Sequence, residues 1–296
     1  MSLKIITHKN PDLDAIGFVY SARKKFGRDI GFELVNAPSL QQLKMPEIIV
    51  GDVGVDSHPE LGYKPSLSNF DHHYGAAERS ATYLFNRCHS VLSKRLVDYI
   101  DEVDTGESGG SERKSLKVVV AGVRVMCNGE DNKIIEEGCK LFDWMEDTDA
   151  DPYHLTSLPS HLMGYLERGL QEIERIEREI EASEICISKK NRRIGYLIST
   201  CPIKSLVKEE MFARGIDIAI IHYPSKQTFS IGCNLQTTND VDLEKEVASE
   251  LNCLEKKKGM PKEYTWGGHP DRIGSSRERG SLLTKDKVVE VIQQNL

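Results

Sequence analysis

The sequence predicts an α/β chain, with a mostly parallel sheet and flanking helices in the N-terminal part and a smaller α+β unit behind it. Three observations carry that prediction. Short apolar runs alternate with helical patterns through the first half, one long amphipathic helix follows, and beyond it the rhythm changes to paired strands around polar turns.

Lys4–Thr7 reads as a strand, Ala15–Phe26 as a helix, and Gly31–Val35 as a strand. Glu47–Val53 (EIIVGDV), between a proline and a glycine, reads as another strand. A helical stretch from about Glu78 to Tyr99 leads to the apolar run Lys117–Met126, taken as a strand, and to a helix over Asn132–Met145. In such sheets ligands gather beyond the carboxyl ends of the strands, which is where His8 and Asp52 fall.

Leu166, Leu170, Ile173, Ile176 and Ile180 recur at steps of four and three among Glu and Arg, so Tyr165–Ala182 is expected to be one amphipathic packing helix. It is too short for a coiled coil. The domain boundary is placed at its end, giving domains 1–182 and 183–296. Behind it, Glu184–Ser188 and Ile194–Thr200 flank the turn KKNRR. Ile216–Tyr223 and Thr228–Asn234 form a second pair around PSK, and Leu243–Leu251 reads as a helix.

With 296 residues, 39% hydrophobic and 29% charged, the chain has the composition of an ordinary globular protein with a sizeable core. It shows no leader-like start and no run of about 18 apolar residues, so a cytoplasmic protein with no membrane partner is expected. Seven cysteines include no CxxC pair, which points away from both a disulfide framework and a thiolate zinc site. The net charge of −7 argues against coating long nucleic acid. Between Glu255 and Lys287, however, nine Lys/Arg face five acids, enough to meet an anionic ligand.

Four fragments carry candidate chemistry: His8-Lys9-Asn10-Pro11-Asp12-Leu13-Asp14, Gly51-Asp52-Val53-Gly54, Asp71-His72-His73 and Asp104-Thr105-Gly106. Asp12 and Asp14, two apart, would leave an extended loop on the same side, and Asp14 is also placed to cap a helix beginning at Ala15. Asp52 ends an apolar strand, where a carboxylate is costly to bury unless paired or bound to a cation. One or two imidazoles and four carboxylates suit two divalent ions, and mixed nitrogen and oxygen donors favour manganese, cobalt or zinc over calcium.

In order, THKNPDLDAIG, GDVG, FDHH and DTG resemble the four motifs of the DHH phosphoesterases, and the helix start Ser80-Ala81-Thr82 is similar to the family's as well. The resemblance implies two divalent ions, with Mn2+ expected. His8 and Asp12 would hold one, Asp14, His72 and Asp104 the other, and Asp52 would bridge. Asp101 is the alternative to Asp104, which the DTG context favours. Asp71 and His73 would be catalytic, His73 beside the substrate phosphate.

A fifth fragment, Trp266-Gly267-Gly268-His269-Pro270 with Ile273-Gly274 behind it, resembles the GGGH segment of the accessory domain in the nanoRNase and RecJ-like subset. It implies a substrate-binding role for Gly267, Gly268, His269 and Arg272, with Trp266 offering a base-stacking surface. Trp266 replaces the first glycine of that segment, and FSIGCNL lacks the arginine-serine pair common in the family. The expectation is therefore a manganese-dependent phosphohydrolase acting on a short single-stranded oligonucleotide or a 3′-phosphorylated nucleotide. Hydrolysis of polyphosphate or pyrophosphate, or non-catalytic nucleic-acid binding, are the alternatives, and a homodimer is allowed.

Overall fold

The computed structural model describes residues 3–36, 39, 42, 45, 47–52, 70, 79–105, 113–201, 203–262, 264–276 and 278–296. The chain divides into two compact units, Met1–Leu170 and Gln171–Leu296.

In the first unit, β1 (Lys4–His8) leads through α1 (Leu13–Phe26) to β2 (Gly31–Val35) and β3 (Ile48–Val50). β1 is central and pairs in parallel with both neighbours, Ile5 lying opposite Phe32 and Ile49. Four helices follow, α2 (Ala81–His89), α3 (Lys94–Thr105), α4 (Leu116–Met126) and α5 (Asp131–Thr148), and then α6 (Ser160–Glu181), which ends in the second unit. The core of this unit holds Ile5, Ile6, Ile16, Phe18, Phe70 and Phe85, all essentially inaccessible. The edge of the Phe85 ring meets Phe18 with centroids 5.7 Å apart, a favoured aromatic geometry.

Two sequence expectations change here. Lys117–Met126 is no strand: Leu116–Met126 is the helix α4. An apolar run of this length is ambiguous between buried helix and buried strand, and tertiary packing decides. A Cβ on Gly122 would stand 1.8 Å from the Tyr165 carbonyl oxygen, and one on Gly169 would stand 2.1 Å from that of Val118. The two glycines let α4 and α6 cross with their backbones in contact, which a pleated strand would not do. The stretch expected as one helix from Glu78 to Tyr99 is two. Ser90 turns into the left-handed region at φ 53°, and the Asn86 side chain accepts from the amides of Val91 and Leu92, each at 2.8 Å.

The second unit is a six-stranded mixed sheet in the order β4-β5-β6-β7-β9-β8. β4 (Glu184–Ile187) and β5 (Arg193–Ile198) form a hairpin, and α7 (Lys204–Ala213) connects β5 to its parallel neighbour β6 (Ile218–Tyr223). β7 (Thr228–Cys233) returns antiparallel to β6. A π turn runs into α8 (Ser249–Lys257), the short strands β8 (Gly267–His269) and β9 (Arg272–Gly274) complete the sheet, and α9 (Lys285–Asn295) ends the chain. One face carries the core of Ile218, Ile220, Phe229, Ile231, Trp266, Ile273 and Val291. Among the described residues no helix is long and apolar enough to cross a membrane.

Candidate metal centre

His8 is the last residue of β1 and Asp52 lies two residues beyond β3, so adjacent parallel strands deliver both to one carboxyl edge. The backbone ties them: the His8 amide and the Thr7 hydroxyl both donate to the Asp52 carbonyl at 3.2 Å, and the Gly51 amide donates to that of Ile6 at 3.1 Å. β3 is shorter than Glu47–Val53 because Asp52 takes φ 50°, a conformation aspartate tolerates better than most residues. A side chain at Gly51 would strike the Phe18 ring at 2.6 Å.

Asp12 enters from the start of α1. That helix begins at Leu13, and its N-cap is Asp12, whose Oδ1 accepts from the Ala15 amide at 3.2 Å. The capping role expected of Asp14 is thus filled by Asp12.

His8 Nε2 lies 3.0 Å from Asp52 Oδ2 and 3.6 Å from Asp12 Oδ1. The other ring nitrogen, Nδ1, is 2.7 Å from the Lys9 carbonyl oxygen and donates to it, which turns Nε2 toward the carboxylates. Burial opposes charge on the ring, but Asp52 first and then Asp12 outweigh it, and the imidazole pKa is pushed up from 6.5 to about 12. Asp52 is 3% exposed, an expensive place for a carboxylate without a cation.

One donor atom from each of His8, Asp12 and Asp52 lies within 4.8 Å of the others, and this is the one such group among the described residues. An imidazole nitrogen and two carboxylates, held by a strand end, a tight turn and a helix cap, could bind a divalent metal ion.

Of the remaining predicted ligands, Asp14 and Asp104 are described and lie outside this group. Asp14, 1% exposed, accepts from the Ala81 amide at 2.7 Å and the Thr82 amide at 2.9 Å, so it holds the start of α2 and is not grouped with the trio. It leaves the chain from the first turn of helix rather than from the extended loop expected beside Asp12. Asp101, 1% exposed, accepts from Arg79 Nη1 at 2.5 Å and the Ser80 amide at 2.7 Å. Asp104 is half-buried on the same helix, three residues on, outside the trio. Asp71, His72, His73 and Gly106 lie outside the described residues, as do Val53 and Gly54. Sequence reasoning does not single out Arg79; its place directly before Ser80-Ala81-Thr82 is the available signal.

In the second unit, Gly267, Gly268 and Arg272 are exposed on the β8-β9 hairpin, where His269 is placed by its backbone opposite Arg272. Trp266 does not offer a stacking surface. It is 3% exposed, its indole N–H donates to Glu255 Oε1 at 3.1 Å, and its ring stacks on Phe229. An indole with a buried carboxylate acceptor is most stable inside, so the core takes it.

No protein-family model matches the chain, and no curated protein does. Among solved structures, one described as a member of a family of ribosomal proteins, with a DHH domain, is similar over 98% of this chain and 85% of its own, at a TM-score of 0.42 and 10% identity.

Proposed function

We propose that this protein is a metal-dependent phosphohydrolase acting on a small phosphorylated substrate. The observation that carries the reading is the convergence of His8, Asp12 and Asp52, residues from three separate elements, on one point at the carboxyl edge of the sheet. The ordered resemblance of the four motifs to the DHH phosphoesterases supports it.

In this reading His8, Asp12 and Asp52 would hold one divalent ion, with manganese the expected species, and Asp14, His72 and Asp104 would be the ligands of a second. Ions held there supply charge neutralisation at phosphoryl oxygens and an acidified water. The chain's own residues do the rest. His8 is oriented by the Lys9 carbonyl so that Nε2 alone faces the site. His73 would donate to a substrate oxygen as negative charge grows on it, with Asp71 the other catalytic residue expected. Gly267, Gly268, His269 and Arg272 contribute to substrate binding.

Two substrate classes follow. Short single-stranded oligonucleotides and 3′-phosphorylated nucleotides are the first. The burial of Trp266 favours the second, pyrophosphate or polyphosphate, because it removes the aromatic surface expected to stack on a base. Purified protein loaded with manganese and screened for phosphate release from RNA dimers, adenosine 3′,5′-bisphosphate, cyclic dinucleotides, pyrophosphate and polyphosphate decides between them. Metal bound with no turnover on any of these would overturn the enzymatic reading.

A further inference from the structure

β4 is the first strand of the C-terminal sheet, so among the described residues no strand pairs with its outer side. The Ser188 amide donates to the Arg192 carbonyl at 3.0 Å, which continues the register that sets Cys186 opposite Ile194 and Glu184 opposite Tyr196. Bonded positions alternate along an antiparallel ladder. Glu184, Cys186 and Ser188 therefore turn their backbone groups toward β5, and Ile185 and Ile187 turn theirs to the open side. Among the described residues one contact reaches that row, a 3.4 Å bond from Gln293 Nε2 to the Ile187 carbonyl.

The side chains of the same two residues are uncovered. Cys186 and Ile194 face the core, so Ile185 and Ile187 point to the opposite face of the sheet, where they are 52% and 50% exposed. Sheet edges are normally blunted by a proline, a bulge or a charge within the strand. β4 (EICI) has no such guard at either outward position, and its one charge, Glu184, stands at its start, paired with Lys285.

A second copy of the chain fits this edge. Laid antiparallel across a two-fold axis at Cys186, each Ile185 stands opposite the partner's Ile187. That register joins the open N–H and C=O groups as exchanged hydrogen bonds and gathers four isoleucines on one face. Charge selects the same direction. Exposed Glu181 and Glu184 stand at the start of the strand and exposed Lys189 and Lys190 follow its end, so the two-fold brings each acidic end to a basic one, whereas parallel pairing would oppose like charges. The other edge of the sheet, β8, has glycine at two of its three positions and offers the isoleucines no apolar partner.

We propose that β4 is the pairing edge of a two-fold homodimer, in which two C-terminal sheets join through Ile185 and Ile187 into one continuous sheet.

The test is sedimentation equilibrium of the full chain from about 1 to about 100 μM, the range of modest interfaces. Wild type should show a monomer–dimer equilibrium. Ile187→Lys charges the centre of the interface, and Ile185→Pro removes an N–H that the monomer does not use, so each should weaken association about tenfold or more. Lys189→Glu with Lys190→Glu should also weaken it, and near-ultraviolet circular dichroism checks that every variant is folded. Opposed residues of a non-bonded antiparallel pair stand about 4.5 Å apart at Cα, within disulfide reach. In a Cys88→Ser, Cys253→Ser background, which removes the exposed thiols, diamide takes one hydrogen from each of two thiols and should link the dimer through Cys186. Adding Cys186→Ser should abolish the linked species. Wild type that stays monomeric at about 100 μM, open-ended oligomers, or a dimer unaltered in folded Ile187→Lys and Ile185→Pro would each overturn the interface. A dimer that diamide fails to link through Cys186 would overturn the register.

Discussion

Asp52 Oδ2 lies 3.0 Å from His8 Nε2, each delivered by a different strand of one parallel sheet. Without a metal ion, the proton on His8 is the cation that Asp52 and Asp12 share. The folded pKa, about 12, lies above the ordinary 6.5, so the stability contributed by this contact is complete below pH 6.5 and is lost as the pH rises toward 12. A divalent ion must displace that proton. Manganese affinity should therefore increase with pH, by about tenfold per unit where one proton is released. Calorimetry in buffers of different ionisation enthalpy counts the proton. An affinity flat from pH 6 to 8 would separate His8 from the metal. Asp52→Asn should weaken binding by more than the about 10–100-fold typical of losing a supporting contact.

Asp14 accepts two backbone amides at the start of α2 while almost wholly buried. Asp14→Ala should cost about 2–4 kcal/mol, since it strips a charged acceptor from two buried donors. The cost should appear in urea unfolding in EDTA, where no ion contributes. A loss seen only with manganese present would make metal binding its sole role.

The crossing of α4 over α6 depends on Gly122 and Gly169. Gly122→Ala places a methyl group inside the van der Waals surface of the Tyr165 carbonyl oxygen, which cannot move without breaking the helix. The expected loss is about 1–3 kcal/mol or more, read as a lower urea midpoint. An unchanged midpoint would mean that the helices do not touch there.

These cases also show how much of the molecule is legible in its sequence. Gly31–Val35 is a strand as read, and the parallel pairing of β1 follows from alternating strand and helix signals. His8, Asp12 and Asp52 are legible because they stand where apolar runs end or begin, and strand ends in a parallel sheet converge. The helical state of Leu116–Met126 is not legible, because Val118, Val119, Val120 and Val123 are β-branched and the deciding contact comes from Tyr165 and Gly169, far along the chain. The role of Asp14 is hidden for a similar reason: its partners are the amides of residues 81 and 82, which no local spacing reveals. Trp266 reads as a surface aromatic because its acceptor, Glu255, lies eleven residues earlier on another element.

Burial of Trp266 has a spectroscopic consequence. In a Trp144→Phe background, where Trp266 is the one remaining tryptophan, emission should be blue-shifted and unaltered by saturating adenosine 3′,5′-bisphosphate. Quenching by the nucleotide would return Trp266 to the role of a base-stacking surface. Trp266→Ala should cost about 3–5 kcal/mol, as for large aromatics removed from a core.

Lys208 gives the opposite sign from His8. Its folded pKa, about 8, lies below the ordinary 10.5, so the folded chain binds fewer protons than the unfolded chain between those values. Stability at this site is at its lowest below pH 8 and recovers as the pH rises toward 10.5. Lys208→Met keeps most of the side-chain volume and removes the charge, so in phosphate-free buffer at pH 7 it should raise the thermal midpoint. The gain should shrink by pH 10. A Lys208→Met protein less stable than wild type at pH 7, with the same pH profile, would show that the ammonium is already paired.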